Sequence, residues 1–210
     1  MVASLCERDL DLEGSFQQFG PPPHWQRAPG FPTLIQIILE QQVSLASARA
    51  VFDKLNALRG INNRLTPKRF LQLDDATLKG CGFSRQKARY SRLLAEAVIN
   101  RAIVLEDLEQ QEDDEVRQQL CALKGIGPWT ADVYLLMALD RPDLWPIGDI
   151  ALQEGVRLIK GLDKRPVGED MLNIAEPWRP YRSVAARMVW HHYLCERANT
   201  PKLTDTPQRH

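Results

Sequence analysis

The sequence predicts an all-α protein. Three observations carry that reading. Apolar residues recur at three- and four-residue steps, no stretch alternates apolar and polar residues long enough for a sheet, and capping residues and prolines stand where helices would begin.

Residues 1–33 are the exception to the helical pattern. They mix charged residues with GPPPHWQRAPGFP, which is too rich in proline and glycine for a helix, and are expected to form a docked arm or extended lead-in. From Thr33 the pattern changes. TLIQIILEQQVSLASARAVFDKLNAL places Leu34, Ile37, Ile38 and then Leu45, Ala48, Phe52 and Leu55 at helical spacing, with a break expected near Val43 and Ser44. Thr66-Pro67 joins an N-cap to a proline at the first helical position and opens a short helix through Leu71. Asp74 or Asp75 caps another before Gly80 and Gly82. Ser84 caps RQKARYSRLLAEAVIN, which turns Ala88, Leu94, Ala95 and Val98 toward a core. More helix is expected from about Asp113 to Leu123 and through PWTADVYLLMAL, and the tail TPKLTDTPQRH is expected to fray.

A chain of 210 residues can bury a core without staples, and 44% hydrophobic with 26% charged residues excludes a largely disordered protein. The formal net charge is zero, so any attraction for a polyanion must be local. LEDLEQQEDDE (105–115) is acidic, whereas 78–92 and 178–187 are basic, a pattern that fits either a dipolar surface or ordinary solvated faces. Cys6, Cys81, Cys121 and Cys195 are scattered with no metal-ligand spacing, which gives neither zinc nor an iron–sulfur cluster support. With no leader-like segment and no apolar run of membrane-spanning length, a cytoplasmic, reducing setting is expected.

One stretch stands out. In LKGIGPWTA (123–131), Gly125-Ile126-Gly127 turns the chain between two helices and Pro128 sits where a first helical residue tolerates it. Bare backbone N–H groups beside a helix N-terminus make an anion seat, while the same turn also serves as a simple connector in a helical hairpin. The nine residues alone leave both readings open. Downstream, PIGD (146–149) adds a Pro/Gly bend followed by Asp149 at or near a helix start.

These two motifs, in this order, resemble the helix-hairpin-helix DNA glycosylase superfamily, and most closely its 3-methyladenine DNA glycosylase II branch. ILEQQVS (38–44), GFSRQKARY (82–90) and WRPYRSVAARMVW (178–190) extend the likeness over most of the chain. The resemblance implies two helical lobes with a cleft between them. One lobe would run over 34–146, and the other would combine the N-terminal arm, 1–33, with 147–210.

The resemblance also implies roles. The hairpin of Gly125, Gly127 and Thr130 would hold a DNA phosphate, with a monovalent cation possible there and no other cofactor. Gln41 or Gln42 would fill the hole left by an everted base, although a polar helix end explains these residues equally well. Asp149 would be the catalytic carboxylate, aimed at the sugar carbon; its plainer reading is a helix N-cap, for which Asp is among the best residues. Trp129, Trp190 and Tyr134 would line the base pocket, with core packing as the alternative for each. Val133 stands where some relatives carry an aromatic residue. His191 and His192 neighbour Trp190, and at least one is expected to have a structural or surface role. Relatives that also nick the strand carry a lysine two residues after the second hairpin glycine, where this chain has Trp129. The implied function is therefore a monofunctional glycosylase, a monomer acting on double-stranded DNA with alkylated bases. A damaged-DNA-binding module without catalysis, or a glycosylase for another lesion, is the alternative.

Overall fold

A computed structural model of the chain describes residues 1–62 and 64–199; the tail TPKLTDTPQRH lies outside the described residues. Every regular element among them is helical. They form two compact units, one of Trp25–Pro146 and one of Met1–His24 joined by the chain from Ile147 on.

The N-terminal segment corrects the expected extended arm. Val2–Arg8 (α1) and Leu10–Phe19 (α2) are helices, and only the Pro/Gly-rich run after them is extended. The cause is Asp9. Its Oδ1 accepts from the N–H groups of Asp11 (3.0 Å) and Leu12 (3.2 Å) and caps α2, while Leu5 and Leu12 are fully buried.

The larger unit contains α3 (Phe31–Glu40), α4 (Leu45–Ala57), α5 (Pro67–Leu71), α6 (Asp75–Cys81), α7 (Arg85–Ile99), α8 (Asp113–Cys121) and α9 (Pro128–Met137). The expected break lies between α3 and α4. Thr66, Asp74 and Ser84 each cap the helix that follows, accepting from Arg69 N (3.3 Å), Thr77 N (2.8 Å) and Lys87 N (3.2 Å). The helix expected to reach Leu123 stops at Cys121, and a 3₁₀ turn over Leu105–Gln110 had no periodic signal. At the centre lies α3, with Leu34, Ile35, Ile37 and Ile38 fully buried, packed on α4, α7 and α9. A helix apolar on nearly all sides belongs inside. Trp25–Pro32 also joins this unit: Arg27 N–H donates to Met137 O (2.8 Å), and its guanidinium forks onto Glu40 (2.9 and 3.0 Å).

The smaller unit packs α10 (Ile150–Ile159) on α12 (Arg182–Asn199), with α2 against both and α1 against α12, and also contains α11 (Glu169–Ala175). The backbones of α10 and α12 meet at Gly155, where an added Cβ would stand 2.6 Å from Val189 Cγ1 and 2.8 Å from the Val189 carbonyl oxygen. Alanine is the better helix former by about 1 kcal/mol, yet here the packing term wins. Gly155→Ala is expected to destabilise the chain by about 1–3 kcal/mol, read as a lowered thermal midpoint.

Candidate active site and nucleic-acid interface

The hairpin joins α8 to α9. Gly125 takes a φ of +97°, and a Cβ there would overlap the Tyr90 ring, which braces the turn from α7. Ile126 is buried, its N–H closing onto Leu123 O at 3.0 Å. Gly127 caps α9 and Pro128 follows at its first position. Neither the Gly125 nor the Gly127 N–H donates to a carbonyl among the described residues. These donors lie beside the positive end of the α9 dipole, an arrangement whose electrostatics suit an anion. Gly125→Ala is expected to cost about 1–3 kcal/mol through strained backbone and the ring overlap, measurable by denaturant titration.

Thr130 is turned inward, 1% exposed. Its Oγ1 accepts from Gln41 Nε2 at 3.0 Å, and the same nitrogen donates to Gly125 O at 2.9 Å. Gln41 is thus engaged with the hairpin, whereas Gln42 is exposed at a φ of +57°, flanked by exposed Val43 and Leu45. The two adjacent glutamines thus stand in different surroundings, one bonded to the hairpin and one exposed. The last turn of α3 carries a contact that sequence reasoning missed: Lys87 Nζ donates to Leu39 O at 2.7 Å, and burial pulls this ammonium below its ordinary range.

Asp149 opens α10 and is half-buried. Its Oδ1 accepts from Leu152 N at 2.7 Å and from Trp190 Nε1 at 3.1 Å. The carboxylate thus caps α10 and is held against the Trp190 indole at the same time. The bend before it is tied down by Gln153 Nε2, which donates to Ile147 O at 2.8 Å. Trp190 is 7% exposed and Trp129, in the first turn of α9, is half-buried.

Tyr134 lies elsewhere. It is 0% exposed in the core of the larger unit, its hydroxyl accepting from Gly30 N–H at 2.8 Å, and burial pushes the phenol up. A base could touch it only by displacing packed neighbours. Both histidines are occupied. His192 Nδ1 lies 2.9 Å from Ser15 Oγ with its ring edge-on to Phe19, and His191 Nε2 lies 3.1 Å from Phe19 O. Burial pulls His192 down from its ordinary value.

Among the described residues no three His, Cys, Asp or Glu side chains gather as metal ligands, and no helix is long and apolar enough to cross a membrane. The four cysteines are free thiols.

An all-helical protein whose glycine hairpin offers bare N–H groups at a helix start, followed by a capping aspartate, has the features of a helix-hairpin-helix protein. The model of the HhH-GPD superfamily of base excision DNA repair proteins matches residues 35–180, and the chain belongs to this family. It is 31% identical to the alkylbase DNA glycosidase-like protein mag2 of Schizosaccharomyces pombe over 80% of this chain and 79% of that one. It is 27% identical to the DNA-3-methyladenine glycosylase 1 of the same organism over 90% and 88%. Among solved structures, the S. pombe 3-methyladenine DNA glycosylase Mag1 in complex with abasic DNA superposes with a TM-score of 0.81 at 28% identity, covering 87% of this chain and 90% of that chain.

Proposed function

We propose that the chain is a monofunctional DNA glycosylase that everts an alkylated base of the 3-methyladenine type from duplex DNA and releases it by hydrolysis, leaving an abasic site. The observation that carries this reading is the Asp149 carboxylate, fixed by Leu152 N–H and Trp190 Nε1 at the start of α10. Breaking an N-glycosidic bond builds positive charge on the sugar. A preorganised carboxylate at that carbon stabilises the transition state more than the ground state and orients the attacking water. The water oxygen bonds C1′, the C1′–N electron pair leaves with the base, and the water proton passes to solvent. A base alkylated at N3 or N7 is already cationic and departs neutral without a strong general acid. The relatives named for 3-methyladenine supply the substrate class, and an indole face such as that of Trp190, whose Nε1 donates to Asp149, would favour such a cation by about 0.5–2 kcal/mol.

The absence of a lysine at position 129 supports hydrolysis without strand cleavage, since no Schiff base can form there. The hairpin N–H groups of Gly125 and Gly127 bond a phosphate without reading sequence. Gln42, exposed at the turn after α3, enters the duplex where the base leaves. A monovalent cation at the hairpin would be held by carbonyls such as those of Leu123 and Gly125. Each already accepts one hydrogen bond and keeps a second lone pair, so the residues fit it. It would supply positive charge toward the phosphate. The protein acts as a monomer in a reducing compartment that holds DNA.

The test is to incubate the purified chain with duplexes bearing 3-methyladenine, 7-methylguanine, 1,N6-ethenoadenine, 8-oxoguanine or a mismatch and to chromatograph the free bases. Release of alkylated bases is expected. Release confined to the oxidised purine or the mismatch assigns another lesion, and damage-selective binding with no release assigns a non-catalytic module.

A further inference from the structure

We infer that Gln41 is a positioning residue: a strut that fixes the duplex-entering Gln42 relative to the phosphate-holding hairpin, so that backbone capture sets where the duplex is opened. The inference rests on the glycosylase reading above and adds a residue to it. A glutamine ending a helix ordinarily faces water. Here both amide protons are used at once, on Gly125 O (2.9 Å) and Thr130 Oγ1 (3.0 Å), which lie 84 and 89 residues away in sequence. Neither acceptor is loose. Thr130 is 1% exposed, and Gly125 is backed by the Tyr90 ring.

The opposite side of the turn is pinned as well. Lys87 Nζ holds Leu39 O at 2.7 Å, and Lys87 and Tyr90 both stand on α7, which therefore supports the hairpin and the end of α3 together. Between these pins Gln42 adopts a φ of +57°, a region side-chain-bearing residues rarely occupy, and such strain persists only where the surroundings over-determine it. The hydrogen bonds of Gln41 are what link the strained turn to the hairpin.

Gln41→Leu keeps the bulk and removes both donors. Eversion is read by the fluorescence of 2-aminopurine placed beside 1,N6-ethenoadenine, once with the lesion paired in duplex and once with it in a bulge, where no partner has to be displaced. The variant is expected to slow eversion in the paired duplex by roughly 10-fold and in the bulge by less than about 3-fold. Equal rates for wild type and variant, or equal losses on both DNAs, overturn the strut. Should Gln41→Leu fail to fold, Thr130→Val removes a single acceptor and reads the same contrast. The fluorescence needs no base release: a wild type that everts without releasing base refutes hydrolysis while the strut is still judged, and a wild type that never everts refutes both.

Discussion

Asp149→Asn is expected to reduce base release by roughly 1000-fold or more, at the upper end of what loss of one preorganised electrostatic partner costs. The substitution is chosen for what it keeps. Asparagine is as good an N-cap as aspartate, so the bond from Leu152 N–H survives, and its carbonyl oxygen still accepts from Trp190 Nε1. What is lost is negative charge at the point where the sugar becomes positive. The variant should therefore melt within about 0.5 kcal/mol of wild type, the range of a neutral polar exchange, and bind lesion DNA normally. Full activity in the variant would mean that Asp149 matters as a cap alone. Single-turnover release measured beside a thermal melt separates the two.

The second large effect concerns the smaller unit. Asp9 caps α2, accepts from Trp178 Nε1 at 2.7 Å, and receives Lys160 Nζ at 2.7 and 2.8 Å, with the two charged side chains only 10% and 21% exposed. Burial pushes the Asp9 carboxyl up, but the bonds from Lys160, Trp178 and Leu12 outweigh it and hold the group below its ordinary value. Burial likewise pulls Lys160 down, while Asp9 and Asp11 raise it overall. Lys160→Met leaves the carboxylate buried without its cation, at a cost of about 3 kcal/mol in urea denaturation.

The pH dependence follows from the signs. A lowered Asp9 contributes stability that is present above its unfolded value near 4 and is lost as pH falls through the folded value. A raised Lys160 contributes below about 10 and is lost as pH climbs through its folded value. Wild type should show a stability plateau between, falling on the acid side. In Lys160→Met that acid fall should flatten, because the carboxyl no longer gains from ionising on folding.

How much of this was legible in sequence depended on the reach of each interaction. Thr66, Asp74 and Ser84 act within one helical turn, and each caps the expected helix. The break after α3 and the hairpin were readable for the same reason. The early helices were missed because their cause is remote: α1 and α2 are docked by Leu5 and Leu12, and by an Asp9 whose partners stand 151 and 169 residues away. Tyr134, placed beside a base by family position, lies in the core, where its partner Gly30 is 104 residues distant. Gln41 and Gln42 look alike in sequence, and only the reach of the first into the hairpin divides them. The bond between Trp190 and Asp149 spans 41 residues and had no local signal.

The most direct test is a single lesion duplex, end-labelled and carrying one 7-methylguanine, treated with the wild-type chain or with buffer and then divided, with half exposed to brief mild alkali. Hydrolysis assisted by Asp149 predicts free base, an intact strand without alkali, and a break at the lesion with it. A strand that stays whole after alkali, or one that breaks without it, contradicts the account.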